Sequence, residues 1–124
     1  MPAAQPKIPD PNHPITISPS RNRVRVRFGG ELIADTSDAL DLKESTYPVV
    51  HYIPRSAVEM NRLVKTDHST RCPYKGDASY FSILAKDGTR IENAVWSYET
   101  PFPAMKEIAG YLAFYPNKVE ISVG

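Results

Sequence analysis

Two cations and a group of aromatic rings are the side chains best placed by type to do chemistry. Arg55 ends the run Tyr52-Ile-Pro-Arg55, and Lys75 lies in the turn-like stretch Cys72-Pro-Tyr-Lys-Gly76. A guanidinium grips a carboxylate or phosphate through two parallel hydrogen bonds, whereas an ammonium offers a point charge. Nine of the twelve aromatic residues fall between Tyr74 and Tyr115, and five of those nine are tyrosines. Tyrosine joins an apolar ring to a hydroxyl that wants a partner, which suits it to binding surfaces. Arg55 and Lys75 beside Tyr80, Trp96, Tyr98 and Tyr111 would form a pocket for a small anionic or aromatic ligand. The competing reading is structural: the rings pack a core, and Arg55 pairs with Glu59 four residues on.

Other groupings carry less. Cys72 is the single cysteine, flanked by Arg71 and Lys75, cations that lower a thiol pKa. With His51 or His68 as base it is a weak candidate nucleophile, although lone cysteines are commonly buried and inert. One Cys and three scattered His lack the paired spacing of a zinc site, so no metal is assigned. Arg21, Arg23, Arg25 and Arg27 would share one face of a strand and could meet phosphates or a protein partner. The same stripe also reads as a solvated face or a protected strand edge.

The elements that must position these groups are mostly strands. Residues 23–28 alternate Arg with Val, Val and Phe, the pattern of a half-buried strand. Gly29-Gly30 supplies a hairpin turn, and residues 31–36 return. Residues 37–42 read as ambiguous, with one helical turn possible on the pattern. Residues 47–53 form a further strand closed by Pro54. Ser56 and Glu59 form a capping-box pattern, and Ala57, Met60, Leu63 and Val64 follow at helical spacing, predicting a short helix over 56–65. Residues 66–78 read as polar and turn-rich. Residues 79–85 and 90–98 are paired strands around the turn Asp87-Gly88. A second short helix is expected over 104–110, with strands at 111–115 and 119–123.

Composition bounds the classes. A chain of 124 residues allows one domain. Six of its twelve prolines lie in residues 1–19, so residues 1–14 read as an extended arm or a disordered tail, and residues 15–124 as one β-rich domain. Fifteen Lys and Arg nearly balance fourteen Asp and Glu, which speaks against a dedicated nucleic-acid binder. A single cysteine excludes a disulfide framework, and a cytoplasmic setting is expected. The longest apolar run, residues 108–115, is too short to cross a bilayer, so no membrane association is expected. No P-loop is present, and the identity of any cofactor stays open.

Several motifs recur in order in one known family. They are residues 52–55, residues 72–76 with Ala78 and Tyr80-Phe81, residues 93–98 with Pro101, and residues 108–111 and 113–116. On these the chain resembles the bacterial and fungal family of domains of unknown function numbered 427, over about residues 22–120. Its motif positions fall here on Tyr52, Pro54, Arg55, Cys72, Tyr74, Lys75, Gly76, Tyr80, Trp96, Tyr98, Pro101, Tyr111, Phe114 and Tyr115. The resemblance implies a small β-rich single domain. It is also similar to the β-tent type of fold, two sheets meeting at an angle. The nucleotidyltransferase label sometimes attached to the family fits poorly. Asp35 and Asp38 are three apart, whereas two carboxylates that clamp magnesium must alternate on one strand face.

The expected protein is therefore a mainly β, compact two-sheet domain with one or two short helices. It would bind a small ligand through Tyr52, Arg55, Lys75, Tyr80, Trp96, Tyr98 and Tyr111. An enzyme, nucleotidyltransferase-like or dependent on Cys72, is the first alternative. A contact module built on the Arg-rich strand is the second.

Overall fold

The computed structural model describes residues 7–124. Its ten strands, in chain order, are β1 (Ile15–Pro19), β2 (Val24–Phe28), β3 (Glu31–Thr36), β4 (Leu40–Glu44), β5 (Val50–Tyr52), β6 (Leu63–Cys72), β7 (Gly76–Leu84), β8 (Arg90–Ser97), β9 (Leu112–Phe114) and β10 (Glu120–Val123). They divide into three antiparallel sheets, ordered β1-β4-β5, β10-β2-β3 and β6-β7-β8-β9. The architecture is mainly β, as expected, but with three sheets rather than two.

Local signals placed the hairpins well. Val24 and Val26 are fully buried, whereas Arg25 and Arg27, which alternate with them, keep contact with water. Gly29 and Gly30 both have positive φ, 58° and 81°, as the tightest hairpin turns require. The Asp87-Gly88 turn closes through the Ala85 amide on the Thr89 carbonyl, at 2.9 Å.

The helix expected over 56–65 does not form. Residues Arg55–Ala57 and Met60–Arg62 make single 3-10 turns, and neither has a side-chain cap. The Glu59 amide donates to the Ile33 carbonyl at 2.8 Å, Val58 bridges Ala34, and Leu63 already pairs with Ile83 in β6. Backbone pairing with β3 and β7 overrides a capping pattern worth only a few tenths to about 2 kcal/mol. The second expected helix is 3-10 as well, over Pro103–Ile108. Residues 37–42 hold no helical turn, and β4 starts at Leu40. Residues 66–78 are not a loop: they contain most of β6, its tight turn and the start of β7. As an edge strand β6 exposes most of its residues, so it lacks the apolar alternation that marks a half-buried strand.

Two buried clusters lie on opposite faces of the four-stranded sheet. Along β9, Leu112 and Phe114 join the cluster that holds Val24, Val26, Ile33, Phe81 and Val95, while Ala113 joins the other. That second cluster holds Leu42, Tyr52, Tyr80, Tyr98 and Ile108. Paired 2.8 Å hydrogen bonds between Ile53 and Leu112 tie the end of β5 to β9. Of the expected arm, residues 7–14 rest on the body: the Lys7 amide donates to the Pro73 carbonyl, and the His13 ring stacks on Tyr74 at 4.1 Å. Residues 1–6 lie outside the described part.

Candidate functional site

The expected aromatic residues do gather, largely as core. Tyr80 and Trp96 are directly opposed across β7 and β8, so they share one sheet face. Tyr52 reaches the same face from β5, and the Trp96 Nε1–H donates to its hydroxyl at 3.2 Å. The Tyr115 ring lies 4.5 Å from Trp96. Its hydroxyl is 3.4 Å from that of Tyr80, which also bonds Thr70 Oγ1 at 2.9 Å. Tyr52, Tyr80 and Tyr98 are buried. Burial drives the phenols of Tyr52 and Tyr98 far above their ordinary value. Tyr115 is pushed up to about 12, by burial and then by the neighbouring Tyr80 hydroxyl.

Arg55 and Lys75 are not brought to the indole. Tyr80 and Phe81 are consecutive in β7 and belong to the two different clusters. Arg55 lies over Phe81, 5.7 Å from the ring centre, whereas Trp96 shares the Tyr80 face. The guanidinium is 3.5 Å from Glu99 Oε2 and 3.4 Å from the Gly110 carbonyl, so its carboxylate partner is Glu99 and not Glu59. Lys75 is buried and donates to Glu44 at the end of β4, with its Nζ 5.9 Å from the Tyr98 ring centre. His13 Nε2 holds the other Glu44 oxygen at 2.8 Å. Burial raises the Glu44 carboxyl, but the hydrogen bonds from Lys75 and His13 outweigh it and leave it below the usual range.

Neither histidine proposed as a base engages Cys72. His51 bonds Asp41, and His68 packs edge-on against Tyr80 at 4.4 Å. The arginine stripe is broken at its start, since Arg21 has φ 64° and precedes the strand. Arg23 Nε and Nη2 donate to the two Asp35 carboxylate oxygens at 2.7 and 2.8 Å, and Arg25 lies 3.7 Å from the same carboxylate. Among the described residues no three His, Cys, Asp or Glu side chains gather as a metal set. No helix among them is long and apolar enough to cross a membrane.

Two openings mark the surface near these groups. One is a broad polar hollow of about 640 Å³ beside Arg23, Asp35, Asp38, Ser56 and Tyr111. The other is a groove of about 460 Å³ between β5 and β10, walled by Tyr47, Val49, His51, Trp96, Phe114 and Val123. Tyr47, Val49 and Val123 are 60%, 43% and 46% exposed, and they are three of the five large apolar side chains left exposed among the described residues. His51 is the polar wall, with Nδ1 2.6 Å from Oδ1 of Asp41, its antiparallel partner on β4.

Reading of the residues did not single out Tyr47, Val49, Val123 or Asp41 for this role. The run Tyr47-Pro-Val-Val50 held part of the signal. What places β10 opposite it is the pairing of β10 with β2, nearly a hundred residues earlier in the chain.

Fold and surface together define a mainly β domain with an apolar groove at the only tryptophan. The chain belongs to the family described as Domain of unknown function (DUF427), whose model matches residues 16–124. No curated protein matches it.

Proposed function

We propose that the protein binds a small aromatic ligand in the groove between β5 and β10, with Trp96 as the ring contact. The observation that carries this reading is the convergence of three exposed apolar side chains on the tryptophan, in a groove of about 460 Å³. Ligand pockets typically run to roughly 300–1,000 Å³ with apolar walls and a few polar groups. Exposed apolar side chains gathered in one place also mark interaction sites more often than scattered ones. Of the residues first expected to bind, Trp96 belongs to this site directly. Tyr52 supports it by accepting the indole N–H. Arg55 and Lys75 already hold internal carboxylates, so the ligand's ring matters more than a negative charge.

The test is thermal unfolding of the purified protein with a panel of small aromatic compounds, neutral and charged, alongside tryptophan emission. A compound at 100 times its Kd stabilises the folded state by about 2.7 kcal/mol, several degrees for a domain of this size. Val49→Arg fills the mouth of the groove from an exposed position and should abolish the shift. Arg55→Ala should retain it. The opposite pattern, loss in Arg55→Ala and retention in Val49→Arg, would move the site to the other sheet face and overturn the reading.

A further inference from the structure

We infer that the groove selects an aromatic ring bearing a hydroxyl group, a phenol, with that hydroxyl donating to His51. This rests on the reading of the groove as a ligand site and adds the chemistry of its occupant.

The argument begins at the register of β4 and β5, which sets Asp41 directly opposite His51. Asp41 Oδ1 lies 2.6 Å from His51 Nδ1. A carboxylate can only accept, so the shared proton sits on Nδ1. A neutral imidazole with its proton on Nδ1 has one group left to offer, the lone pair on Nε2. Among the described residues Nε2 has no hydrogen-bond partner, and the His51 side chain lines the groove. Every other lining side chain named above is apolar except for the Tyr47 hydroxyl. With His51 in that neutral form, the groove combines an acceptor held by its Asp41 partner with apolar walls that include Trp96. A flat ring that donates one hydrogen bond satisfies both. A ring without a donor leaves the acceptor unsatisfied once it displaces water from it, a loss that hydrogen-bonding sites turn into selectivity.

The probes are 4-ethylphenol, its methyl ether 4-ethylanisole, and 4-ethylbenzoate, titrated against the emission of the single tryptophan, with calorimetry as a second readout. The expected result is that 4-ethylphenol binds about tenfold tighter than the ether, one net hydrogen bond. His51→Phe should bring the two within about twofold while the ether still binds. Equal affinity of phenol and ether for the unaltered protein overturns this inference but leaves the groove reading standing. Tightest binding of the benzoate also overturns it, since His51 would then act as a cation. Absence of binding by all three, with the wider panel also silent, overturns both. The phenol–ether comparison uses the unaltered chain, so it decides the matter even if His51→Phe does not fold.

Discussion

The Lys75 ammonium donates to the Glu44 carboxylate, joining the β6–β7 turn to the far end of β4 across 31 residues of sequence. The lysine side chain is 9% exposed and the glutamate 17%. Removing one member of a sealed pair costs roughly 3–5 kcal/mol, because the other charge stays behind. Glu44 keeps some water contact, so Lys75→Met should cost about 2 kcal/mol in urea unfolding. Adding Glu44→Leu to that variant should recover a large part of the loss.

The same pair predicts a pH dependence. The folded-state pKa of Glu44 is held below its ordinary value of 4.5. Its contribution is therefore complete above about pH 4.5 and is lost as pH falls through the lower, folded value. Melting temperature measured down this acid range should fall more steeply in the unaltered protein than in Glu44→Gln. Equal slopes would show that Glu44 is not held in its charged form by the fold.

Tyr52, Tyr98 and Tyr115 predict the opposite edge. Each has its phenol pKa raised, chiefly by burial. The unfolded chain ionises these phenols first, so their stabilisation is complete below about pH 10 and is lost as pH rises further. Phenolate absorbance at about pH 11 should lack these three tyrosines while the fold persists, and they should ionise together with base unfolding. Prompt ionisation of all seven tyrosines in the folded state would contradict their burial.

Gly76 sits at φ 112°, a conformation that side chains rarely adopt. A Cβ there would make only ordinary contacts, the nearest at 3.5 Å from the Phe102 backbone nitrogen, whose N–H donates to the Lys75 carbonyl, so the cost is backbone strain. Gly76→Ala should therefore destabilise by more than about 1 kcal/mol, chiefly through backbone strain at the β6–β7 turn. Gly88→Ala, at positive φ with open space around it, should show a strain cost of the same kind.

Ser97 points the other way. It is fully buried, and its Oγ has no hydrogen-bond partner. An unsatisfied buried hydroxyl costs about 1–3 kcal/mol, so Ser97→Ala should raise stability by about 1 kcal/mol in chemical denaturation. A loss of stability instead would mean that the hydroxyl has found a partner.

What the amino-acid order determined alone is what neighbours decide. Alternation of Val24 and Val26 with Arg25 and Arg27 declared a half-buried strand, and Gly29-Gly30 and Asp87-Gly88 declared turns, because pleat period and positive φ are local properties. The aromatic motifs marked the second core, because large rings bury wherever two sheets close. Tertiary structure decided the rest. Ser56 and Glu59 carry a valid helix start, but the Glu59 amide found the Ile33 carbonyl instead. Arg55 and Trp96 looked like partners in one site, yet Tyr80 and Phe81, adjacent in β7, sent them to opposite faces of one sheet. Lys75 looked available for a ligand until the chain brought Glu44 to it. The groove itself depends on β10 lying beside β2 and on Asp41 facing His51. Local rules choose the strand and the turn. Pairing partners and exposed faces follow from contacts between segments distant in the chain, where burial and backbone hydrogen bonding outweigh any local preference.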